Sequence, residues 1–227
     1  QIRLAKPWVK HGVSPFGIWK SGTPAGITGL SAYSTIFADA VTWMELKWID
    51  YLSPQLYWAF GGGQDYAKLA PWWRSVMNGT HLYPGLAAYR ADSGTAGSGT
   101  VFNANEVPKQ LRFNRTNSIP GSLLFRANNI DGTRTTQGLA DSLRLKINKA
   151  PALTPVMDFK PKVAPPAPGN LTYFWDSETI QLFWAKPASV AGQQDVFRYA
   201  VYRVQSAGEP DLQTVLADPR NLLAVTP

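Results

Sequence analysis

The sequence contains no cysteine, which excludes disulfide bonds and thiol chemistry. It has two histidines, and without cysteines or clustered histidines we expect neither a metal site nor a cofactor. No apolar run approaches the roughly 20 residues of a membrane span, and nothing at Gln1 resembles a signal peptide. The length and composition are those of a folded globular chain with one large domain or two smaller ones.

The net charge of +7 is unevenly distributed along the chain. Up to Met157 there are sixteen Lys and Arg against eight Asp and Glu, and from Asp158 onward there are six against seven. The cations of the first part are scattered and form no run typical of a nucleic-acid surface. We therefore expect no nucleic-acid partner. A solvated basic surface is the simpler interpretation, and weak attraction to an anionic polymer is the alternative.

The first part of the chain repeats an apolar strand, a polar loop and an amphipathic helix. The expected strands are 10–19, 48–58, 81–90 and 121–126, and the expected helices are 31–47, 69–77, 105–117 and 138–148. Four such units predict an α/β fold that forms half of a (β/α)8 TIM barrel, because a complete barrel takes about 250 residues. A small doubly wound sheet is the alternative, although no glycine-rich phosphate turn follows any predicted strand.

The first part is organised around residues 48–58, which carry no charge after Asp50 and end in Gln55-Leu56-Tyr57-Trp58. A nearly continuous apolar run is typical of a strand that is buried on both faces of a parallel sheet. Such sheets bind ligands at the carboxyl ends of their strands. We predict that Gln55, Tyr57 and Trp58 bind a polyhydroxylated ligand. An amide and a phenol offer hydrogen bonds, and an indole offers an apolar face to a sugar ring.

Four further candidates for ligand binding lie at predicted strand ends. Trp19 ends the first strand, and Trp19, like Trp58, is either a sugar platform or a cap on the core. Tyr89 and Arg90 end the third strand and could bind a sugar hydroxyl or a carboxylate, or form a salt bridge. Asn128 follows the fourth strand. The tryptophans predicted to pack between helices and sheet instead are Trp43, Trp48, Trp72 and Trp73.

Several motifs resemble one known family. They are Gly12-Val13-Ser14-Pro15-Phe16-Gly17-Ile18-Trp19, Trp48-Ile49-Asp50-Tyr51-Leu52-Ser53-Pro54-Gln55-Leu56-Tyr57-Trp58, Tyr66-Ala67-Lys68-Leu69, Trp72-Trp73, Leu82-Tyr83-Pro84-Gly85 and Asn114-Arg115. In this order and spacing, they resemble glycosyl hydrolase-like family ten from Lys6 to about Pro155. The resemblance implies strands five to eight of the family's barrel. It also implies cleavage of glycan strands, including peptidoglycan strands without peptides, by bacterial envelope proteins that are often lipoproteins.

Glycoside hydrolysis usually needs two carboxyl groups about 5 to 9.5 Å apart. The resemblance implies that the family's acidic motif precedes Gln1. Within the chain, Asp92 after the third strand and Asp131 after the fourth are weak catalytic candidates, because Asp50 starts its strand at the opposite end. We expect this chain to hold the sugar-binding half of a site and to be inactive alone. The missing half of the barrel is expected from the rest of the protein or another chain.

The composition changes after Pro155. Residues 158–169 form a proline-rich linker between a first domain, 1–157, and a last domain, 170–227. The segments that alternate like antiparallel strands are 171–173, 180–184 and 197–204, and 222–225 is an expected fourth strand. This pattern resembles a fibronectin type III domain, an all-β sandwich of about 100 residues, without its final strands.

These features predict part of a bacterial envelope glycoside hydrolase that binds a polysaccharide or glycan strand. Its expected location is the cell envelope or periplasm, with a lipid anchor at a preceding segment. The alternative is a non-catalytic carbohydrate-binding or cell-surface interaction protein. A carboxylate pair at strand ends before Gln1 would favour the enzyme.

Overall fold

The computed structural model describes residues 2–92, 99–132, 136–160 and 163–226. The chain divides into two compact units. We call Lys10–Lys149 the strand–helix unit, and Gln1–Val9 with Ala150–Pro227 the ribbon unit. The regular elements in chain order are α1 (Ile2–Ala5), β1 (Gly12–Val13), α2 (Ala32–Thr35), α3 (Ala40–Glu45), β2 (Tyr51–Leu52), α4 (Tyr66–Val76), β3 (His81–Leu82), β4 (Gly85–Leu86), α5 (Glu106–Thr116), β5 (Leu123–Leu124), α6 (Leu139–Ser142), β6 (Gly169–Asp176), β7 (Thr179–Ala185), β8 (Tyr199–Tyr202), α7 (Leu212–Ala217) and β9 (Leu222–Thr226).

The strand–helix unit is built on parallel strands that pair in sequential order. β1 pairs with β2, β2 with β3, and β4 with β5. Parallel bridges join Phe16 to Gln55 and Gln55 to Gly85, and Gly85 pairs with Leu123, so one row crosses the whole sheet. The predicted parallel pairing of four successive segments is confirmed. Their closure into half of a barrel stays a prediction.

The first three predicted strands are interrupted by prolines, so their regular parts are shorter than the predicted ranges. Pro15, Pro54 and Pro84 have no N–H to donate to a neighbouring strand. Their carbonyl groups still accept hydrogen bonds from the next strand, at 3.0, 2.8 and 3.0 Å respectively. The sheet therefore continues through each proline to the row that contains Gln55.

The core lies between the sheet and its helices. Leu52, Leu56, Leu82 and Leu86 are completely buried, as are the helical residues Leu69 and Trp73. The indole N–H of Trp73 donates to the carbonyl of Gly17 at 2.9 Å, which fixes α4 against the end of the first strand. Burial of these side chains is the main source of stability in the unit.

The predictions for the four structural tryptophans have different outcomes. Trp73 is fully buried, and Trp43 and Trp72 pack against the core while partly exposed. The prediction for Trp48 is wrong, since 62% of this residue is exposed. Trp48 lies in the connection between α3 and β2.

The single helix predicted over 31–47 is also wrong. Two short helices, α2 and α3, occupy this range, and Phe37 between them has a positive φ of 56°. Asp39 begins α3 by accepting hydrogen bonds from the backbone N–H and the hydroxyl of Thr42. The left-handed conformation of Phe37 ends the first helical segment, and Asp39 as N-cap begins α3. The spacing of apolar residues in the sequence does not reveal this break.

The remaining helices occupy their predicted places. α4 begins after Asp65, whose side chain accepts from the N–H of Ala67 at 2.9 Å. α5 agrees with the range predicted from Asn105, and α6 together with a π-helical turn, Leu143–Ile147, fills the last predicted helix. The Tyr66 hydroxyl donates to the side-chain oxygen of Asn114 at 2.8 Å, joining α4 to α5 inside the core.

The ribbon unit contains two antiparallel pairs, β6 with β7 and β8 with β9. The three alternating segments and the expected fourth strand are confirmed as strands, whereas α7 between β8 and β9 was not predicted. A fibronectin type III sandwich stays a prediction. The predicted domain boundaries at 157/158 and 169/170 also stay predictions. The two compact units of the structure meet at a different place in the chain, between Lys149 and Ala150.

Within the described ranges, every helix is too short or too polar to cross a bilayer.

Candidate functional site

The candidate site lies at the carboxyl end of the parallel sheet, just beyond the row Phe16, Gln55, Gly85 and Leu123. Three strand ends bring candidate residues together there. Tyr57 follows the second strand, Tyr89 lies in a 3-10 turn (Ala88–Ala91) after the third, and Phe125 directly follows β5. Because parallel strands end at the same edge of a sheet, residues far apart in sequence become neighbours.

Tyr57, Tyr89 and Phe125 form what we call the aromatic cluster. The rings of Tyr57 and Phe125 stack at 5.8 Å between centroids, with 25° between their planes. Tyr89 meets both rings edge-on, at 5.9 Å from Tyr57 and 6.0 Å from Phe125. Half of Phe125 remains exposed, so the cluster offers an apolar surface to a ligand.

Burial, with a smaller contribution from Tyr89, raises the pKa of Tyr57 above its ordinary value of 10.0. Its hydroxyl group is therefore protonated at neutral pH and can donate a hydrogen bond. A neutral phenol beside an exposed aromatic face matches the two kinds of surface that a sugar presents, its hydroxyl groups and its C–H face.

Arg90 lies beside the aromatic cluster. Its Nε donates to the Tyr89 hydroxyl at 3.4 Å, and its guanidinium group lies 5.9 Å from the ring centroid of Tyr89. It also lies 5.6 Å from the ring of Phe102, the residue whose backbone N–H donates to the Arg90 carbonyl. Stacking on aromatic rings positions the guanidinium group at the cluster and leaves it other N–H donors.

Asn128 supplies an acceptor on the fourth strand's side of the site. It lies in the 3-10 turn Ala127–Asn129, which begins three residues after Leu124, the last residue of β5. Its side-chain oxygen is buried and has no hydrogen-bond partner among the described residues. Because this oxygen is buried, it is not exposed to a ligand in this structure, and ligand binding by Asn128 stays a prediction.

Gln55 and Trp58 connect the first two strand ends. The Gln55 side-chain N–H donates to the Ser14 carbonyl at 3.1 Å, and the residue is half-buried. The Trp58 ring lies against Gly17, where an added Cβ would approach a ring atom to 2.8 Å. Trp58 is half-buried, so part of the indole remains accessible to a ligand.

Trp19 is placed on the helix side of its strand end, separate from the aromatic cluster. Its ring stacks on Trp72 at 5.8 Å and its indole N–H donates to Asp39 at 3.0 Å. The Lys20 ammonium lies 3.9 Å from its centroid. These contacts hold Trp19 in the helix layer, where packing explains its position. Its predicted role as a sugar platform is not tested by them.

The two weak catalytic candidates lie in different environments. Asp92 ends the 3-10 turn that carries Tyr89 and is 7% exposed, whereas Asp131 is exposed two residues after Asn129. The loops that continue from them, 93–98 and 133–135, lie outside the described residues. Asp50 is buried and accepts the backbone N–H of His11 at 2.8 Å at the other end of the sheet.

The described residues contain no group of three or more His, Asp or Glu side chains arranged to hold a metal ion.

Three residues that contribute to the site were not among the sequence candidates: Phe125, Glu106 and Gln110. Phe125 is the last apolar residue of a predicted strand. Its position at a strand end is the sequence feature that could have identified it as a ligand-binding candidate. Glu106 and Gln110 lie on α5 and reach the segment that follows Tyr57, a contact that helix periodicity does not reveal.

Residues 1–98 match the model of the family described as Glycosyl hydrolase-like 10. This match includes the strand motifs around Phe16 and Gln55, and it supports the family resemblance drawn from them.

Two relatives extend the similarity beyond that range. The chain is 31% identical over 230 residues to Glycosyl hydrolase YngK of Bacillus subtilis (strain 168), an alignment that covers 96% of this chain and 43% of the relative. It is 35% identical over 150 residues to Glycosyl hydrolase DigH of Escherichia coli (strain K12), covering 61% of this chain and 34% of the relative. The chain thus spans less than half the length of either curated relative. The family description and both names suggest a glycoside hydrolase.

Proposed function

We propose that this chain belongs to the glycosyl hydrolase-like family and supplies the glycan-binding part of an enzyme that cleaves glycan strands. The observation that carries the proposal is the aromatic cluster at the carboxyl end of the sheet, with polar groups beside it. The family match covers the strands that bring Tyr57 to this edge. The substrate we propose is peptidoglycan without its peptides, and the location is the bacterial envelope.

The proposed binding mode follows from the chemistry of the cluster. Phe125 and Tyr57 present an aromatic surface to the C–H face of a sugar ring. The neutral Tyr57 hydroxyl and the Arg90 guanidinium are the proposed hydrogen-bond donors to the glycan, and the side chain of Asn128 is the proposed acceptor. The half-barrel fold, with its main catalytic carboxylates in a part of the protein that precedes this chain, belongs to the same proposal.

A non-catalytic glycan-binding protein is the second candidate. The observation that favours it is the use of Asp50 and Glu106, two buried carboxylates, as acceptors of backbone N–H groups. A carboxylate held in this way has a structural function and is not positioned as a general acid. Cleavage therefore distinguishes the two candidates.

The test is hydrolysis of peptide-free peptidoglycan strands by the full-length protein and by this 227-residue chain, with products identified by mass spectrometry. We expect cleavage by the full-length protein and binding without cleavage by this chain. If the full-length protein binds but does not cleave, the second candidate is correct. If neither protein binds the strands, both candidates are wrong.

Variants locate the binding and catalytic groups. Tyr57→Ala is expected to weaken glycan binding about tenfold, because it removes the stacked ring. Tyr173→Ala, which truncates an exposed tyrosine of the ribbon unit, is the matched control and should bind normally. If Asp92→Asn or Asp131→Asn abolishes cleavage by the full-length protein while binding is retained, the catalytic pair includes this chain and the proposal of an outside pair is wrong.

A further inference from the structure

Residues 58–60, which follow Tyr57 directly, are held by two side chains from α5. Gln110 Nε2 donates to the Trp58 carbonyl at 2.9 Å. Glu106 Oε1 accepts the backbone N–H of Phe60 at 3.0 Å. The two side chains also bond each other, Gln110 Nε2 to Glu106 Oε1 at 3.1 Å. One continuous network thus joins the helix to both ends of the segment.

The network is buried. Gln110 is completely buried and Glu106 is 8% exposed. A buried carboxylate without partners is costly, so the two N–H groups that Glu106 accepts are needed to keep it there. Its place as the first residue of α5 also puts the negative charge at the helix end that favours an anion.

The position of residues 58–60 determines where the Trp58 ring lies. On one side, the ring is against Gly17, which has no Cβ to push it away. On the other, the Trp58 carbonyl is fixed by Gln110 and the Phe60 N–H by Glu106. The Phe60 ring is further covered by the Lys109 ammonium at 4.2 Å. The backbone of Trp58 is therefore fixed by α5 and its ring by the first strand end.

We propose that Glu106 and Gln110 are positioning residues that hold Trp58 as a sugar-binding surface at the end of the first strand, against Gly17. This role rests on the proposed function, since it assigns Trp58 a direct contact with the glycan. Glu106 and Gln110 act through Trp58 and do not touch the ligand. If Glu106 and Gln110 only stabilised the fold, replacing them would lower the stability of the protein. The effect on glycan binding would then not depend on the presence of the Trp58 ring.

A double-mutant cycle on the full chain separates these roles. Gln110→Met keeps the side-chain length and removes both hydrogen bonds. We expect it to weaken glycan binding about fivefold to tenfold when Trp58 is present, and less than about twofold in a Trp58→Ala background. Glu106→Gln is expected to weaken binding by a smaller factor, because its neutral amide oxygen can still accept hydrogen bonds from Phe60 and Gln110, although more weakly than a carboxylate. Arg112→Gln, an exposed change on the same helix, is the matched control.

The indole N–H signal of Trp58 in the nuclear magnetic resonance spectrum gives a second measurement that needs no ligand. The signal is assigned by its absence from Trp58→Ala. We expect it to shift or broaden in Gln110→Met and Glu106→Gln, and to remain unchanged in Arg112→Gln.

The outcomes distinguish this inference from the proposed function. If Trp58→Ala weakens binding but Gln110→Met does not, or if their effects simply add, the inference is wrong and the proposed function stands. If no glycan binds to any protein, the proposed function fails and with it the assigned role of the ring. An unchanged Trp58 signal in Gln110→Met would by itself overturn the positioning of the ring by α5.

Discussion

Gly17 lies where the end of the first strand meets the backbone of Gln55 and the ring of Trp58. A Cβ at this position would contact backbone, which cannot move aside as the end of a flexible side chain can. The carbonyl of Gly17 also accepts the indole N–H of Trp73 from the core. One residue without a side chain thus lets two strand ends and one helix approach each other closely.

Gly17→Ala is expected to destabilise the strand–helix unit by about 1 to 3 kcal/mol, as overpacking of a close-packed site does. Gly169→Ala is the control, because a Cβ there meets nothing within 4 Å. The measurement is urea unfolding followed by tryptophan fluorescence. A Gly17→Ala protein as stable as the control would show that the two strand ends are not in close contact.

The sequence identified Tyr57 as a candidate, but not its stacking on Phe125. Alternation and strand-end position can be read from residues 48–58 alone. The stack depends on the register in which Gln55 meets Gly85 and Gly85 meets Leu123. A shift of one residue would turn Phe125 to the other face of the sheet, and pairing register is a tertiary property.

At the scale of single elements, the break between α2 and α3 is the main difference from the prediction. The apolar residues around the break differ in burial, since Ala40 and Met44 of α3 lie in the core whereas Ile36 and Phe37 are exposed. Asp39 provides the local reason for the new start, since it accepts hydrogen bonds from Thr42 and also from the Trp19 indole. Its position before an apolar stretch was a readable N-cap signal.

The same residue gives a pH-dependent prediction. Burial acts to raise the pKa of Asp39, but hydrogen bonds from Thr42 and Trp19, together with the charge of Lys20, outweigh it and leave the pKa below its ordinary value of 3.8. A lowered pKa in the folded state stabilises the fold at pH values above the ordinary one, and this contribution is lost as the pH falls through the folded pKa.

Asp39→Ala is expected to lower the free energy of unfolding by about 1 kcal/mol at pH 7, and by less as the pH falls below about 4. Urea unfolding at pH 7 and at pH 3 measures both effects. Glu45→Gln, an exposed carboxylate of the same helix, is the matched control. An equal loss at the two pH values would mean that the ionised form of Asp39 contributes nothing.

At the scale of the whole molecule, the chain divides into units of different character. The strand–helix unit has a continuous buried core. In the ribbon unit, large apolar residues of β6 and β7 such as Phe174, Trp175 and Phe183 are more than half exposed. Apolar patches of this kind mark surfaces that contact another molecule or segment.

The division predicts where a protease cuts first. Lys149 is exposed and is the last residue of the strand–helix unit, and the next residue permits cleavage by trypsin. We expect brief trypsin treatment to release a stable product ending at Lys149, identified by mass spectrometry. If trypsin cuts inside the ribbon unit while the bond after Lys149 stays intact, the expected division is wrong.

The sequence by itself determined the order and approximate positions of the strands and the later helices, because apolar periodicity, prolines and N-caps act locally. It also identified Gln55, Tyr57 and Trp58 at a strand end, together with a family resemblance that the match over residues 1–98 supports. The tertiary structure alone decided that Phe125 stacks on Tyr57, that Trp19 packs on Trp72, and that α5 holds residues 58–60. Each of these contacts joins residues at least 46 positions apart, and their geometry is set by strand register and helix packing, which local sequence patterns do not encode.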